Sequence, residues 1–109
     1  MTPLWPGRAP VPSHDRIDTH QHLIPPQYAR WLSSRGIFAA GSDTIAFEKV
    51  PAASMPVHVH LLVDSGIHII EALDLEELAR NRIFEFVFVA APLKIRGGTG
   101  SPIRPLALA

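Results

Sequence analysis

The sequence contains no cysteine, carries no net charge and has no long apolar run. Without cysteine there are no disulfides and no thiolate metal site, which is typical of a cytoplasmic protein. Ten basic residues balance ten acidic ones, so the composition does not indicate a nucleic-acid-binding surface. The apolar runs are far shorter than the ~20 residues of a membrane span, and the first residues lack the apolar core of a signal peptide. We therefore expect a cytoplasmic protein with neither nucleic-acid nor membrane partners.

What is present is enough for one small folded domain. The chain has 109 residues, of which 47% are hydrophobic and 18% charged, and a disordered chain would be less apolar. Four of the eleven prolines lie within the first twelve residues. Because proline prevents helix formation and disrupts strand pairing, residues 1–15 are predicted to be a flexible leader.

The stretch over residues 56–78 predicts a helix, a strand and a second helix. Pro56 suits the first turn of a helix, and Gly66 suits its end, since glycine adopts a left-handed conformation without strain. The apolar, β-branched run at 67–70 predicts a buried strand. Asp74 is placed to cap the helix that follows.

The carboxylate of Glu71 comes directly after this predicted strand. A buried, unpaired charge is very costly, so Glu71 requires a partner. His58, one element earlier, is the candidate, either in direct contact or through a metal ion. From the residues alone, a buried hydrogen-bonded pair is favoured over a metal site.

A second candidate site lies in residues 16–24, RIDTHQHLI. In a strand, alternate residues share a face, so Asp18, His20 and His22 would point the same way. Two imidazoles two residues apart can converge on one metal ion. His20 and His22 are therefore candidate metal ligands.

Further elements follow from local patterns. A helix from Pro25 to about residue 35 is predicted to end at Gly36. The run at 84–91 is apolar on both faces, which predicts a strand covered on both sides. Shorter extended segments are predicted at 37–40, 45–50 and 106–109.

The segments HVHLLVDSGIHIIEALDLEELA and FEFVFVAAPLKIRGGTGSPIRPLAL resemble the C-terminal part of the cyclase family of metal-dependent hydrolases, which includes the bacterial kynurenine formamidases. GSDTIAFE is similar to the Gly-x-Asp-Thr segment of the same family, and the resemblance covers residues 29–109 or so. It implies an α/β fold, part of the family's β/α domain, with a mixed sheet and two to three short helices.

The same resemblance implies an arylformamidase-like activity, the metal-dependent hydrolysis of an amide or a cyclic C–N bond in a small-molecule substrate. It implies His58 and Glu71 as ligands of a divalent metal, zinc or manganese. In the implied reaction, water activated by the metal attacks the carbonyl carbon.

RIDTHQHLIPPQYARWL resembles the opening of the amidohydrolase superfamily, in its decarboxylase-like branch. That family is a TIM barrel whose first strand carries a His-x-His metal pair, and the pair corresponds here to His20 and His22. A TIM barrel requires ~200 residues or more, so its later ligands have no room in this chain.

Two departures from the cyclase pattern shape the functional prediction. The family's N-terminal His-x-Gly-Thr-His-x-Asp motif is missing, and Ala72 replaces the asparagine that commonly follows the strand glutamate. We expect an amidohydrolase-like opening at 16–35 joined to a cyclase-like half-domain at 36–109, forming an incomplete or inactive enzyme. The alternatives are an amidohydrolase-type hydrolase or decarboxylase, and a non-catalytic remnant or oligomerisation module. Since part of the apolar strand at 84–91 would stay uncovered, the chain is expected to be a homo-oligomer.

Overall fold

The computed structural model describes residues 24–51 and 53–109. The chain divides into two compact units, Met1–Leu73 and Asp74–Ala109. The predicted α/β class is confirmed, with short helices, one parallel pair of strands and one antiparallel pair. The two kinds of pairing lie in separate two-stranded sheets. The predicted leader and the predicted strand bearing His20 and His22 lie outside the described residues.

The described part of the first unit contains two helical segments and a parallel pair of strands. In chain order these are α1 (Pro26–Ser34), β1 (Ala39–Gly41), α2 (Pro56–His58), which continues directly as a π-helix (Val59–Asp64), and β2 (His68–Ile70). Ala40 lies opposite Ile69 in the parallel ladder.

Proline and glycine set the helix boundaries as predicted. Each helical segment has proline in its first turn, where a missing N–H removes no helical hydrogen bond. Gly36 and Gly66 follow the two helical segments, and both have φ of 64°, the left-handed conformation that favours glycine. Beyond Gly66, the N–H of Ile67 donates to the carbonyl oxygen of Leu61 at 2.8 Å.

A small apolar core holds the first unit together. Ala29 anchors α1, Ala40 anchors β1, and both are buried. Among the described residues, the buried apolar ones are Ala29, Ala40, Phe47, Val57, Leu61 and Ile67. Each comes from a different element or connection except Val57 and Leu61, which share one face of the helix because they are four residues apart.

The extended segment predicted at 45–50 is wrong, since these residues form an irregular connection of bends. The N–H of Phe47 donates to a side-chain oxygen of Glu71 instead of to a neighbouring strand. The side chains of Phe47 and Glu48 are both buried although they are adjacent, which a regular strand with two opposite faces would not allow when one face is solvated.

The segment after β1 continues to bond the segment after β2. The N–H of Ser42 donates to the carbonyl oxygen of Ile70 at 3.0 Å, and the N–H of Ala72 donates to that of Thr44 at 2.8 Å. Ala72 has φ of 55°, in the left-handed region where alanine is strained. This tight junction fixes the backbone immediately after Glu71.

The second unit contains one short helix and an antiparallel hairpin. These elements are α3 (Glu76–Arg80), β3 (Val87–Val89) and β4 (Leu106–Leu108), with Phe88 opposite Ala107. An oxygen of Asp74 accepts a hydrogen bond from the N–H of Glu76 at 3.3 Å, at the start of α3. Among the described residues, no helix has the length and apolar character needed to cross a membrane.

Apolar side chains are exposed throughout the second unit. Phe84 is 83% exposed, and both strands of the hairpin are exposed along their length. The exposed large apolar residues of this unit are Phe84, Phe86, Val87, Phe88, Val89, Leu93, Ile95, Leu106 and Leu108. Exposed apolar side chains favour association where they lie next to one another, as in the paired strands of the hairpin, and open strand edges can pair with other chains.

Ala72→Asn is expected to stabilise the protein by about 0.5–1 kcal/mol. Asparagine tolerates the left-handed conformation that strains alanine. Urea unfolding would measure the difference, with Ala91→Asn, at an exposed position of negative φ, as the control. If Ala72→Asn proved no more stable than the unmodified protein, left-handed strain at this position would be negligible.

We expect the chain to self-associate through its exposed apolar residues. Size-exclusion chromatography with light scattering should show species larger than the 11.9 kDa monomer. Phe84→Ser should shift the distribution toward monomer, whereas Ile45→Ser, an equally exposed position in the first unit, should have less effect. A monodisperse monomer with a cooperative melt would contradict the expectation.

Candidate metal centre

Glu48 is a buried carboxylate at the centre of the candidate site. Its side chain is 4% exposed, and its Oε2 accepts hydrogen bonds from the backbone N–H groups of Val57 (2.9 Å) and His58 (3.1 Å). These N–H groups belong to the first turn of a helix, which lacks acceptors within the helix. A carboxylate is also favoured there by the helix dipole, so Glu48 fills the role of a helix cap from a distant part of the chain.

His58 lies between two carboxylates. Its Nδ1 is 3.3 Å from Oε2 of Glu48, and its Nε2 is 3.3 Å from Oε1 of Glu71. The imidazole is 19% exposed. The predicted approach of His58 to Glu71 is therefore present in the structure, and a third residue completes the arrangement.

Glu71 links the end of β2 to the irregular connection. Its Oε1 accepts a hydrogen bond from the N–H of Phe47 at 2.7 Å, in addition to the contact with His58. The side chain is 34% exposed, so solvent and small molecules can reach it. Two adjacent residues of the connection are thus held by different elements. Glu48 bonds to the start of the helix through its own side chain, and Phe47 bonds through its N–H to Glu71 at the end of β2.

The three polar residues border a pocket of about 300 Å³. Its remaining wall is apolar and comes from Ala46, Val50 and Met55. This volume is at the lower end of the range for small-molecule sites, which are usually mostly apolar with a few polar groups.

The electrostatics of the pocket favour a cation. Among the described residues, no lysine or arginine forms an ion pair with Glu48 or Glu71. Two carboxylates with one histidine therefore make an acidic site, and Glu48 is almost fully removed from solvent. Since buried negative charge is costly without a positive partner, a positive charge beside the two carboxylates, on the His58 ring or on a bound cation, would stabilise this arrangement.

The spacing of His58 and Glu71 fits two ligands of one metal ion. Two ligand atoms, each ~2.0–2.1 Å from a tetrahedral zinc ion, lie roughly 3.3–3.4 Å apart. The contact from Nδ1 to Glu48 is the kind of hydrogen bond that metal-binding histidines usually make with their second nitrogen. Within residues 24–51 and 53–109, no three histidine, aspartate or glutamate side chains are grouped to hold an ion, so His58 and Glu71 are two candidate ligands and no third lies beside them.

The other described histidines lie elsewhere. Nε2 of His60 is 2.8 Å from Oγ of Ser33, and Nδ1 of His60 is 4.0 Å from a carboxylate oxygen of the exposed Asp64. The ring of His68 packs against Phe38 with centroids 4.9 Å apart. His20 and His22 lie outside the described residues, so their role as metal ligands stays a prediction.

Sequence reasoning missed Glu48. Its local signal is an acidic residue in the run Ala46-Phe47-Glu48, followed two residues later by Val50. An acid among apolar residues is also common on solvent-exposed strands, where every second residue faces water. Only the contact with the start of α2, nine residues later, distinguishes the two cases.

Comparison with known proteins identifies two similar enzymes. The chain is 32% identical over 81 residues to a kynurenine formamidase from Salinibacter ruber (strain DSM 13855 / M31), which covers 74% of this chain. It is 34% identical over 98 residues to an isatin hydrolase from Roseibium aggregatum, which covers 86% of this chain. The alignments span 36% of the length of each enzyme, so the chain corresponds to about a third of either relative. No family model matches the chain, and no solved structure matches it significantly.

Glu48→Ala is expected to destabilise the first unit by about 2–4 kcal/mol. The substitution leaves the buried N–H of Val57 and the N–H of His58 without their acceptor, and each unsatisfied buried group costs about 1–3 kcal/mol. Glu71→Ala should cost less, because it removes one backbone hydrogen bond and the side chain is partly exposed. Urea unfolding would measure both, with Lys49→Ala at an exposed neighbouring position as the control. Equal effects of the Glu48 and Lys49 substitutions would contradict the central role of Glu48.

Proposed function

We propose that this chain is part of a cyclase-family, metal-dependent hydrolase that acts on an amide or a cyclic C–N bond. The observation that supports the proposal most directly is the line of Glu48, His58 and Glu71 at the edge of a small pocket. The similarity to a kynurenine formamidase and an isatin hydrolase supports the same reaction class. One name refers to the hydrolysis of a formamide and the other to the hydrolysis of isatin.

In this proposal, Nε2 of His58 and Oε1 of Glu71 hold a divalent cation, zinc or manganese. When bound, the metal supplies Lewis-acid polarisation of the substrate carbonyl and acidification of water. Imidazole and carboxylate suit zinc, and carboxylate also suits manganese. Further ligands are needed beyond the two that the described residues provide.

The residues of the pocket have distinct roles in the proposed reaction. Glu71 and His58 orient the cation at the polar side of the pocket. Val50 and Met55 form the apolar side, where the ring of an aromatic amide would displace water and pack by its face. This arrangement would place the scissile bond between the apolar wall and the acidic residues.

Metal binding tests the proposal directly. Titration of the full chain with Co²⁺, followed by visible absorption, and with Zn²⁺, followed by calorimetry, should show one site per chain. His58→Ala and Glu71→Ala should each weaken binding at least tenfold, because each removes a ligand. Asp64→Ala, near a histidine outside the pocket, is the matched control and should bind as the unmodified protein does. Undiminished binding by both ligand variants would rule out this site.

Turnover of N-formylkynurenine or isatin by the chain alone is expected to be low, because the described residues supply only two ligands. Assays with added Zn²⁺ or Mn²⁺ would measure it against buffer and against Glu71→Ala. Fast, chelator-sensitive hydrolysis that Glu71→Ala abolishes would contradict this expectation, although it would support the reaction class.

A further inference from the structure

The contacts of Glu48 restrict where His58 can carry its proton. An ionised carboxylate only accepts hydrogen bonds. The 3.3 Å hydrogen bond between Oε2 of Glu48 and Nδ1 of His58 therefore requires the proton on Nδ1. In a neutral imidazole, Nε2 then carries the lone pair and becomes the atom available to a metal.

On the opposite side of the ring, Nε2 also faces a carboxylate oxygen. Oε1 of Glu71, at 3.3 Å from Nε2, is also an acceptor, and it already accepts the N–H of Phe47. In the neutral ring with its proton on Nδ1, the lone pairs of Nε2 and Oε1 face each other and repel unless a proton or a metal cation lies between them. The gap between Nε2 and Oε1 is thus suited to a cation once Glu48 holds the other nitrogen.

Glu48 is itself rigidly held. The oxygen that contacts Nδ1 also accepts two backbone N–H groups from the start of the helix that carries His58. The backbone and the ring of the same histidine are consequently fixed by one buried atom. A rotation of the imidazole about its Cβ–Cγ bond would break the contact with Glu48.

We infer that Glu48 is a positioning residue that fixes His58 as the Nδ1-protonated tautomer and aims Nε2 at the gap beside Glu71. The consequence for metal affinity rests on the function proposed above, whereas the assignment of the tautomer does not. Residues in this supporting role typically change metal affinity by about 10–100-fold when they are replaced.

Glu48→Gln tests the inference with the least disturbance. Glutamine keeps an oxygen that can accept the backbone N–H groups, but its NH₂ group can also face Nδ1 and reverse the tautomer. Glu85→Gln, at an exposed glutamate of the second unit, is the matched control. Circular dichroism and thermal melts would establish that both variants are folded.

Two measurements on the full chain separate the outcomes. The first is the tautomer of His58 by ¹⁵N NMR of the metal-free protein in mildly alkaline buffer, with the signal assigned by its loss in His58→Ala. The second is Zn²⁺ affinity by calorimetry. We expect a proton on Nδ1 in the unmodified protein and in Glu85→Gln, and a mixed or reversed tautomer in Glu48→Gln with Zn²⁺ binding about tenfold weaker or more.

An unchanged tautomer and Zn²⁺ affinity within twofold in Glu48→Gln would overturn the inference while leaving the proposed metal site intact. If the unmodified protein binds no Zn²⁺, the metal site of the proposed function fails, and the tautomer alone decides the role of Glu48. In that case a tautomer that changes in Glu48→Gln supports the positioning role, and one that does not change overturns it. If Glu48→Gln does not fold, the tautomer of the unmodified protein decides, since a proton on Nε2 alone overturns the inference.

Discussion

The first unit depends on one buried carboxylate. Glu48 accepts the N–H groups that begin the helix and contacts the ring of His58, while the adjacent Phe47 enters the apolar core and donates its N–H to Glu71. Together with the hydrogen bond from the N–H of Ala72 to the carbonyl oxygen of Thr44, these contacts hold the connection at 43–50 in place. The irregular backbone is stable because two elements bind it. Glu71, at the end of β2, accepts the N–H of Phe47, and the first turn of α2 donates its N–H groups to Glu48.

The same contacts build the candidate site. An acidic group is an expensive residue to bury, and apolar replacements of buried ionic groups are often neutral or stabilising. The presence of two carboxylates beside one histidine is therefore better explained by a role in binding or catalysis than by a contribution to the free energy of folding. The apolar core and the pocket depend on the same segment, residues 46–50. Phe47 packs into the core, whereas Ala46, Glu48 and Val50 line the pocket.

Much of the fold could be predicted from local chemistry. The glycines after the two helical segments, Gly36 and Gly66, and the apolar run of β2 define boundaries without reference to the rest of the chain. The approach of His58 to Glu71 could also be anticipated, since an acid after a buried strand needs a partner. Glu48 could not, because its burial results from contacts with residues nine and ten positions later. The failure at 45–50 has the same cause, since local β-propensity was outweighed by tertiary hydrogen bonds.

The π-helix at Val59–Asp64 has an evolutionary implication. A π-helix contains more residues per turn than an α-helix, and single π-turns behave as one-residue insertions into an α-helix. His58, just before this segment, contacts Glu48 and Glu71, and Ile67, three residues after it, is buried in the apolar core, so side chains hold both ends of the segment in place. Descendants of the gene could lose one codon within residues 59–64 and close the segment as an α-helix. Length variation by one residue would then be tolerated here more readily than between Glu48 and His58.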